Sequence, residues 1–425
     1  MYFYSSASSD SPVITNTYGD LNKVLNYIID GGNEYSILKI EPSADKKVKI
    51  WYDPALAQCP WILSQSITIS SGSASYNNYK FFIEAINVAD KYVICYNSKV
   101  TQTSPIETAS MKAKITPAGI TKVFGGVDEK RTVFRFSGNS VEYRLDDRDF
   151  GPLLNPPITT RADWTKVARV CMAEYFDTLD STSTKQYPFN AARPTENFTP
   201  SGNYIGQAFL PYTIANLNKR YITDTSYTDV RSRYEYRIWA SDKFILFQFM
   251  IYNYNDNESK FFMLGNFDAI DKTKKNGLLM AQRPWGDNTY NSTNGSYLQT
   301  SQRQYSSFMD ENEVTARHYT IFDNYNSSSD SMWVNNNGEF YLGGWQPSGS
   351  GMTIPNNIDK GVYFSNVIIH GSNQYFGNMY DCKWINTSYN NNRDTLAIID
   401  EELYMFVKWM YSNQSSQFFI KLDRE

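Results

Sequence analysis

Short stretches in which apolar and polar residues alternate recur along most of the chain, and this period predicts β-strands. The clearest early examples lie at 48–52, 66–69, 80–83 and 92–96. Turn residues, such as Ser71-Gly72, separate them. The first hundred residues are therefore predicted to contain a small antiparallel sheet.

One segment near the N-terminus has a helical period instead. Asp20 is placed to cap it, and Gly31-Gly32 is placed to end it. The apolar residues between them fall on one helix face: Leu21, Val24, Leu25, Ile28 and Ile29. The sequence therefore predicts one short amphipathic helix packed on the small sheet, which together form an N-terminal α+β unit.

Strand patterns continue through the rest of the chain. They lie at 132–136, 141–145, 234–239, 244–252 and 261–264. Their spacing, with polar turns between them, favours an antiparallel sandwich or barrel-like fold over alternating strands and helices. The fold class is accordingly predicted to be mainly β. The period of residues 163–176 fits either a helix or a long strand.

A change in composition suggests where the chain divides. We predict an N-terminal domain at 1–100, a linker rich in Thr, Ser and Pro at 101–118, and a β-rich body at 119–425. The body contains two long polar connections, 190–232 and 284–330. Connections of this length usually contact a partner, although solvated loops without a partner fit the same composition.

Composition favours a binding or structural protein over an enzyme. The 425 residues include 33 Tyr but only 2 His, and several runs of Asn. Tyr and Asn offer rigid contact area and adaptable hydrogen bonds, whereas catalysis usually needs titratable groups.

The net charge of -4 argues against nucleic acid as a partner. No stretch is long and apolar enough for a membrane span, and no signal sequence opens the chain, which predicts synthesis and folding in a cytoplasm.

The cysteines do not form a recognisable site. Cys59, Cys95, Cys171 and Cys382 lack CxxC spacing and have no neighbouring His. We therefore expect buried free thiols, with no bound metal and no cofactor.

A cluster of carboxylates follows one predicted strand. Asp146, Asp147 and Asp149 lie together with Arg148, and the triplet Asp-Phe-Gly at 149–151 has no other kinase motif around it. The acids are predicted to cap a turn or to pair with Arg144 and Arg148; a weak cation site is the alternative.

No catalytic residue is predicted. His318 and His370 lie far apart, and neither adjoins a nucleophile motif. Glycoside cleavage needs only two carboxylates and aromatic rings for the sugar, so a depolymerase stays open as the competing class. The tryptophans that could stack on a sugar, or equally fill a core, are Trp239, Trp285, Trp333, Trp345 and Trp409.

The chain opens with Met1-Tyr-Phe-Tyr-Ser-Ser-Ala7, continues through Asp10-Ser-Pro-Val-Ile-Thr-Asn-Thr-Tyr-Gly19, and then forms the Leu-rich helix with its glycine stop. In this order the segments resemble the N-terminus of a family of tailed-bacteriophage virion structural proteins. Later segments are similar to the family's motifs in the expected order: Tyr76-Asn-Asn-Tyr79, Tyr143-Arg-Leu-Asp146, Asp149-Phe-Gly-Pro152, Trp239 to Phe247, and Leu264 to Ile270.

The chain also departs from the family pattern. Thr15 and Tyr18 stand where small residues are usual. A C-terminal Arg-Gly-x-x-Pro-Gly element is represented only by Lys360-Gly-Val-Tyr363, which lacks the proline.

The resemblance implies a non-enzymatic virion component. The expected seat is the tail, neck or baseplate, where the protein would mediate assembly or host contact; capsid decoration or a head fibre is the alternative. Expected partners are other phage virion proteins and further copies of the chain, with host surface polysaccharide or protein as a further possibility. The aromatic start Tyr2, Phe3 and Tyr4 is predicted to be exposed and to anchor the N-terminal domain in a partner's pocket; an edge strand within its own domain is the alternative.

Overall fold

The computed structural model confirms a mainly β fold built of antiparallel sheets. It describes residues 1–14, 18–72, 76, 79–108, 110–138, 141–148, 167–173, 175–179, 207–211, 235–250, 260–270, 272, 277–282, 304–307, 364–371, 374–385, 396–399, 401–407 and 417–424. Within these residues there is one α-helix, and no helix is both long and apolar enough to cross a membrane.

Six strands of the N-terminal region close into a barrel. In the order in which they pair, they are β2 (Tyr35–Ala44), β3 (Lys47–Tyr52), β6 (Tyr92–Tyr96), β5 (Lys80–Asn87), β4 (Ser66–Ser70) and β7 (Met111–Ile115), which pairs back to β2. The sequence predicted a small sheet here but not its closure. The closing strand β7 lies inside the stretch 101–118 that the sequence suggested as a linker; the division into domains stays a prediction.

Alternation along the strands builds the barrel's interior. In β3, the side chains of Val48, Ile50 and Tyr52 are buried, whereas those of Lys47, Lys49 and Trp51 are only partly covered. Because successive side chains of a strand point to opposite faces, the first set faces the core and the second faces outward.

The predicted helix is present as α1 (Asp20–Asp30), and its apolar face belongs to the same core as the barrel. It ends as predicted at Gly31, which has φ 88° and donates its N–H to the carbonyl oxygen of Tyr27. A Cβ at Gly31 would lie 2.4 Å from the carbonyl oxygen of Ile115, so the barrel leaves room only for glycine. The predicted cap at Asp20 is wrong: Gly19 occupies the N-cap position and offers no side chain.

The remaining strands form three antiparallel sheets. The first contains, in order across the sheet, β1 (Tyr2–Ser5), β13 (Glu235–Ala240), β14 (Phe244–Met250), β15 (Lys260–Gly265), β17 (Leu278–Gln282) and β18 (Gln304–Ser307). The second contains β12 (Gln207–Pro211), β11 (Val167–Ala173), β10 (Glu142–Asp146), β9 (Arg131–Arg135) and β8 (Thr121–Gly126). The third contains β16 (Asp268–Ala269), β20 (Gln374–Ile385), β23 (Gln417–Lys421), β22 (Glu402–Val407) and β21 (Leu396–Ile399), with β19 (Phe364–Gly371) also paired to β20.

The aromatic start is buried, so its predicted exposure is wrong. Tyr2, Phe3 and Tyr4 lie in β1 at one side of the first sheet, where they pair with β13. The ring of Phe3 lies 5.6 Å from that of Trp239, and the hydroxyl of Tyr4 donates to the carbonyl oxygen of Thr116 at 2.7 Å. The reason is tertiary, because the strand that pairs with them comes more than two hundred residues later.

The structure describes only part of the two long connections. Within 190–232 it places the strand β12, and within 284–330 the strand β18; the rest of both stretches lies outside the described residues. The ambiguous segment at 163–176 contains the strand β11.

Candidate protein-binding surface

A row of outward side chains crosses three neighbouring strands of the barrel. Lys39 of β2 is the register partner of Trp51 in β3, and Trp51 is the register partner of Tyr92 in β6. Lys49 lies two residues before Trp51 and therefore shares its face. We call these four residues, Lys39, Lys49, Trp51 and Tyr92, the barrel strip.

Rings and ammonium groups contact one another along the barrel strip. The ring centroids of Trp51 and Tyr92 are 5.4 Å apart and tilted by 49°. The Nζ of Lys39 lies 4.7 Å from the centroid of Trp51, and the Nζ of Lys49 lies 5.1 Å from that of Tyr92. Such pairs stabilise a sheet by a few tenths of a kcal/mol to about 1 kcal/mol each. They also hold two large rings in fixed positions at the surface.

The barrel also has exposed apolar residues outside the barrel strip, and one acidic residue pairs with the strip. Leu38 precedes Lys39, Val88 follows β5, and both side chains are exposed. Glu41 forms an ion pair with Lys39 at 2.6 Å. Residues 35–116 contain nine lysines and six acidic residues, whereas the whole chain has a net charge of -4. The barrel region thus carries more lysines than acidic residues within an acidic chain, and an aromatic surface of this kind suits a partner that offers carboxylates and apolar groups.

The same face of the barrel already holds a segment of this chain. The guanidinium of Arg424 lies 3.8 Å from the ring centroid of Tyr96 and forms an ion pair with Glu84, which also pairs with Lys47 at 2.9 Å. Tyr96 lies four residues after Tyr92 on β6, on the same side of the strand. The outer face of the barrel can therefore accommodate a chain segment with a charged side chain.

Asp423 fixes the same C-terminal segment to the N-terminal region. Its N–H donates to the carbonyl oxygen of Met1 at 2.8 Å, and its carboxylate accepts from Lys80 at 3.2 Å. The segment covers the end of the barrel face next to Tyr96 and leaves the barrel strip partly exposed.

Tyr2, Phe3 and Tyr4, the contact residues suggested by the sequence, do not belong to this surface, because the core of the chain covers them. Their role in binding a partner stays a prediction. The surface aromatics Trp51 and Tyr92 were not singled out from the sequence. The alternation Lys-Val-Lys-Ile-Trp-Tyr in β3 was the available signal, since it places Trp51 on the same face as two lysines.

Two acids of the predicted carboxylate cluster, Asp146 and Asp147, form structural hydrogen bonds. Arg148 donates from its Nε and one terminal nitrogen to the two oxygens of Asp146, both at 2.9 Å, which confirms the predicted pairing with Arg148. Asp147 accepts the backbone N–H of Asn22 at 3.1 Å. No group of three or more potential metal ligands occurs in the described part of the chain. Asp149 lies outside it.

The other residues considered for chemistry give no second site. Trp239 is buried, and its Nε1 donates to the sulfur of Met405, so its ring cannot stack on a sugar at the surface. Cys95 and Cys382 are buried free thiols, as expected. Cys59 is free and partly buried, and this burial raises its pKa to about 11. The side chains that fall outside the described residues are His318, His370, Cys171, Trp285, Trp333, Trp345 and Trp409.

Comparison with known proteins adds no family. Of the motifs that carry the resemblance to phage virion proteins, the helix with its glycine stop lies at the barrel, and Tyr143 to Asp146 lies in β10. The resemblance itself stays a prediction. No protein-family model matches the chain, and no curated protein matches it.

Proposed function

We propose that this protein is a non-enzymatic structural component of a tailed-bacteriophage virion, and that it docks on a neighbouring virion protein through the barrel strip. The family resemblance supports the virion role. The observation that supports the mode of docking is the pair of rings, Trp51 and Tyr92, held at the barrel surface beneath two lysines. The seat proposed is the tail, neck or baseplate.

The chemistry of the barrel strip fits a protein partner. Tryptophan, tyrosine and arginine are enriched among the few residues that supply most of the binding energy at protein interfaces. The two rings are held by cross-strand neighbours, so little conformational entropy is lost when a partner covers them. The lysines favour a partner surface with carboxylates.

A double variant tests the proposal in particles. Trp51→Ala with Tyr92→Ala removes both rings from an outward face and leaves the inward residues of β3 and β6 in place. We expect the variant to fold and to be incorporated into virions at least about tenfold less than the wild type, which corresponds to about 1.4 kcal/mol of binding energy. Tyr175→Ala, a change at an exposed aromatic residue outside the barrel, is the matched control and should be incorporated normally.

The position of the protein in wild-type particles completes the test. Electron microscopy with an antibody against this chain should place it on the tail, neck or baseplate. Label on the head would replace the proposed seat with capsid decoration, and absence from particles would overturn the virion role. Normal incorporation of a folded double variant would overturn docking through the barrel strip while leaving the virion role intact.

A further inference from the structure

The third sheet ends in a strand that has an apolar, exposed face. β21 has the sequence Leu-Ala-Ile-Ile and is the outermost strand on its side of the sheet, next to β22. Leu396 is 42% exposed and Ile398 is 70% exposed. Ala397 and Ile399, on the other face, pack against the buried cluster of Tyr404, Phe406 and Phe419.

The exposed face of β21 continues a buried face of β22. Leu396 is the register partner of Met405, and Ile398 is the register partner of Leu403. Both partners are buried, and the sulfur of Met405 accepts a hydrogen bond from Trp239 of the first sheet. The apolar layer between the first and third sheets therefore extends to β22. On the next strand, β21, the same face of the sheet is exposed.

Natural sheets usually protect such an edge. Charged residues, proline or a bulge at the outer strand prevent another strand from pairing with it. None of these occurs within β21, and its pairing with β22 is regular over all four residues. No strand in the described part of the chain pairs with its other side.

We infer that β21 pairs with β21 of a second copy of this chain, antiparallel and about a two-fold axis at Ala397. In this register Leu396 lies opposite Ile398 of the second copy, and the reverse pair forms by symmetry. All four exposed apolar side chains then lie on one face and cover one another. The small side chain of Ala397 meets its own copy on the other face without crowding.

Leu396 and Ile398 lie two residues apart on one face, so the strand can match its own copy, and this spacing selects the register. A two-fold pairing must place residues of one face opposite residues of the same face, because side chains alternate along each strand. An axis at Ile398 satisfies this condition too, but it places Leu396 beyond the last residue of the opposing strand and leaves it exposed. The axis at Ala397 is the one that covers both Leu396 and Ile398.

The association of the purified full-length chain tests the inference independently of the virion role. Sedimentation velocity across a wide range of concentrations should show a monomer–dimer equilibrium for the wild type. Ile398→Lys, which places a charge within the paired face, should raise the dissociation constant at least about tenfold. Ile106→Lys alters an isoleucine of similar exposure, 58%, at a distant position and should leave the equilibrium unchanged. A wild type that stays monomeric, or a dimer unaffected by Ile398→Lys, would overturn the inference.

A cysteine variant tests the register. Residues directly opposite each other in antiparallel strands have Cβ atoms about 4.5–5.5 Å apart, close enough for a disulfide after a small adjustment. Ala397→Cys should therefore give a covalent dimer on mild oxidation, beyond the wild-type background of the four native cysteines. Ile399→Cys should not, since the two copies of residue 399 lie at opposite ends of the pair. Cross-linking through position 399 but not 397 would exclude the proposed register.

Discussion

The carboxylate of Asp147 accepts a hydrogen bond from the backbone N–H of Asn22 at 3.1 Å, although the two residues are 125 positions apart in the chain. Asn22 is the third residue of α1, and its N–H is one of those that a helix cannot satisfy internally. Gly19 at the N-cap has no side chain to offer. The second sheet thus supplies the cap that the local sequence lacks.

Further hydrogen bonds join the helix to the same sheet. The side-chain amide of Asn22 donates to the carbonyl oxygen of Gly126 at 2.7 Å, and its oxygen accepts from the hydroxyl of Thr132 at 2.9 Å. The amide of Asn26 donates to the same hydroxyl. The second sheet is therefore fixed against the N-terminal helix by directional polar contacts as well as by apolar packing.

Asp147→Ala is expected to lower the free energy of unfolding by about 1–2 kcal/mol. The change removes the cap and leaves the N–H of Asn22 buried without that acceptor. Denaturant unfolding measures the loss. Asp128→Ala, at an exposed turn of the same sheet, is the control and should stay within about 0.5 kcal/mol of the wild type. Equal stability of the two variants would show that the cap contributes nothing.

Tyr4→Phe is expected to lower the free energy of unfolding by about 1 kcal/mol, because the buried carbonyl oxygen of Thr116 loses its 2.7 Å hydrogen bond. Under the proposed virion role, the variant should still be incorporated into particles, since the hydroxyl lies in the core of the chain. Thermal unfolding together with an incorporation assay separates the two roles of this residue. Unchanged stability with lost incorporation would instead support the anchor predicted from the sequence.

The ion pairs at Glu84 should stabilise the fold at neutral pH and not in acid. Burial alone raises the pKa of this carboxyl, but hydrogen bonds and charge from Lys47 and Arg424 outweigh it, and the net result is a pKa below the ordinary 4.5. A carboxyl with a lowered pKa in the folded state contributes its stability above the unfolded pKa and loses it as the pH falls through the folded value. The contribution is therefore present at pH values above the unfolded pKa and is lost progressively as the pH falls from there through the lower, folded pKa.

The comparison of Glu84→Gln with the wild type tests this pH dependence. The variant should be less stable at pH 7, and the difference should shrink as the pH is lowered from 4.5. Unfolding curves across this range give the difference directly. Asp45→Asn, at an exposed carboxylate, serves as the control for the general effect of removing one negative charge. A difference that does not change with pH would contradict the ion-pair explanation.

Thiol labelling should distinguish the cysteines by burial. Burial raises the pKa values of the Cys95 and Cys382 thiols far above the ordinary value, so little thiolate forms and reagent cannot reach it. In the native protein at pH 8, mass spectrometry should find both residues unmodified after a brief exposure to iodoacetamide. Cys59, which is partly covered, should react slowly. Denatured protein should be modified at all three positions, and rapid native labelling of Cys95 would contradict the closed barrel.

The local elements of the fold could be predicted because their causes lie within a few residues. The alternation at 48–52 and 92–96 became β3 and β6, and the apolar face with its glycine stop became α1. The pairing of Arg148 with Asp146 is likewise local. The same alternation predicts that Trp51 faces outward. The order of the strands was needed to place Tyr92 and Lys39 beside it.

The mainly β class, the helix and many of the strands follow from the pattern of residues along the chain. The closure of the barrel by β7, the pairing of Tyr2, Phe3 and Tyr4 with β13, and the cap that Asp147 provides for α1 depend on contacts between distant segments. The physical reason is the range of the interactions. A side-chain period reports which face of a strand or helix is apolar, but it does not report which distant segment covers that face, and burial and hydrogen-bond pairing depend on that segment.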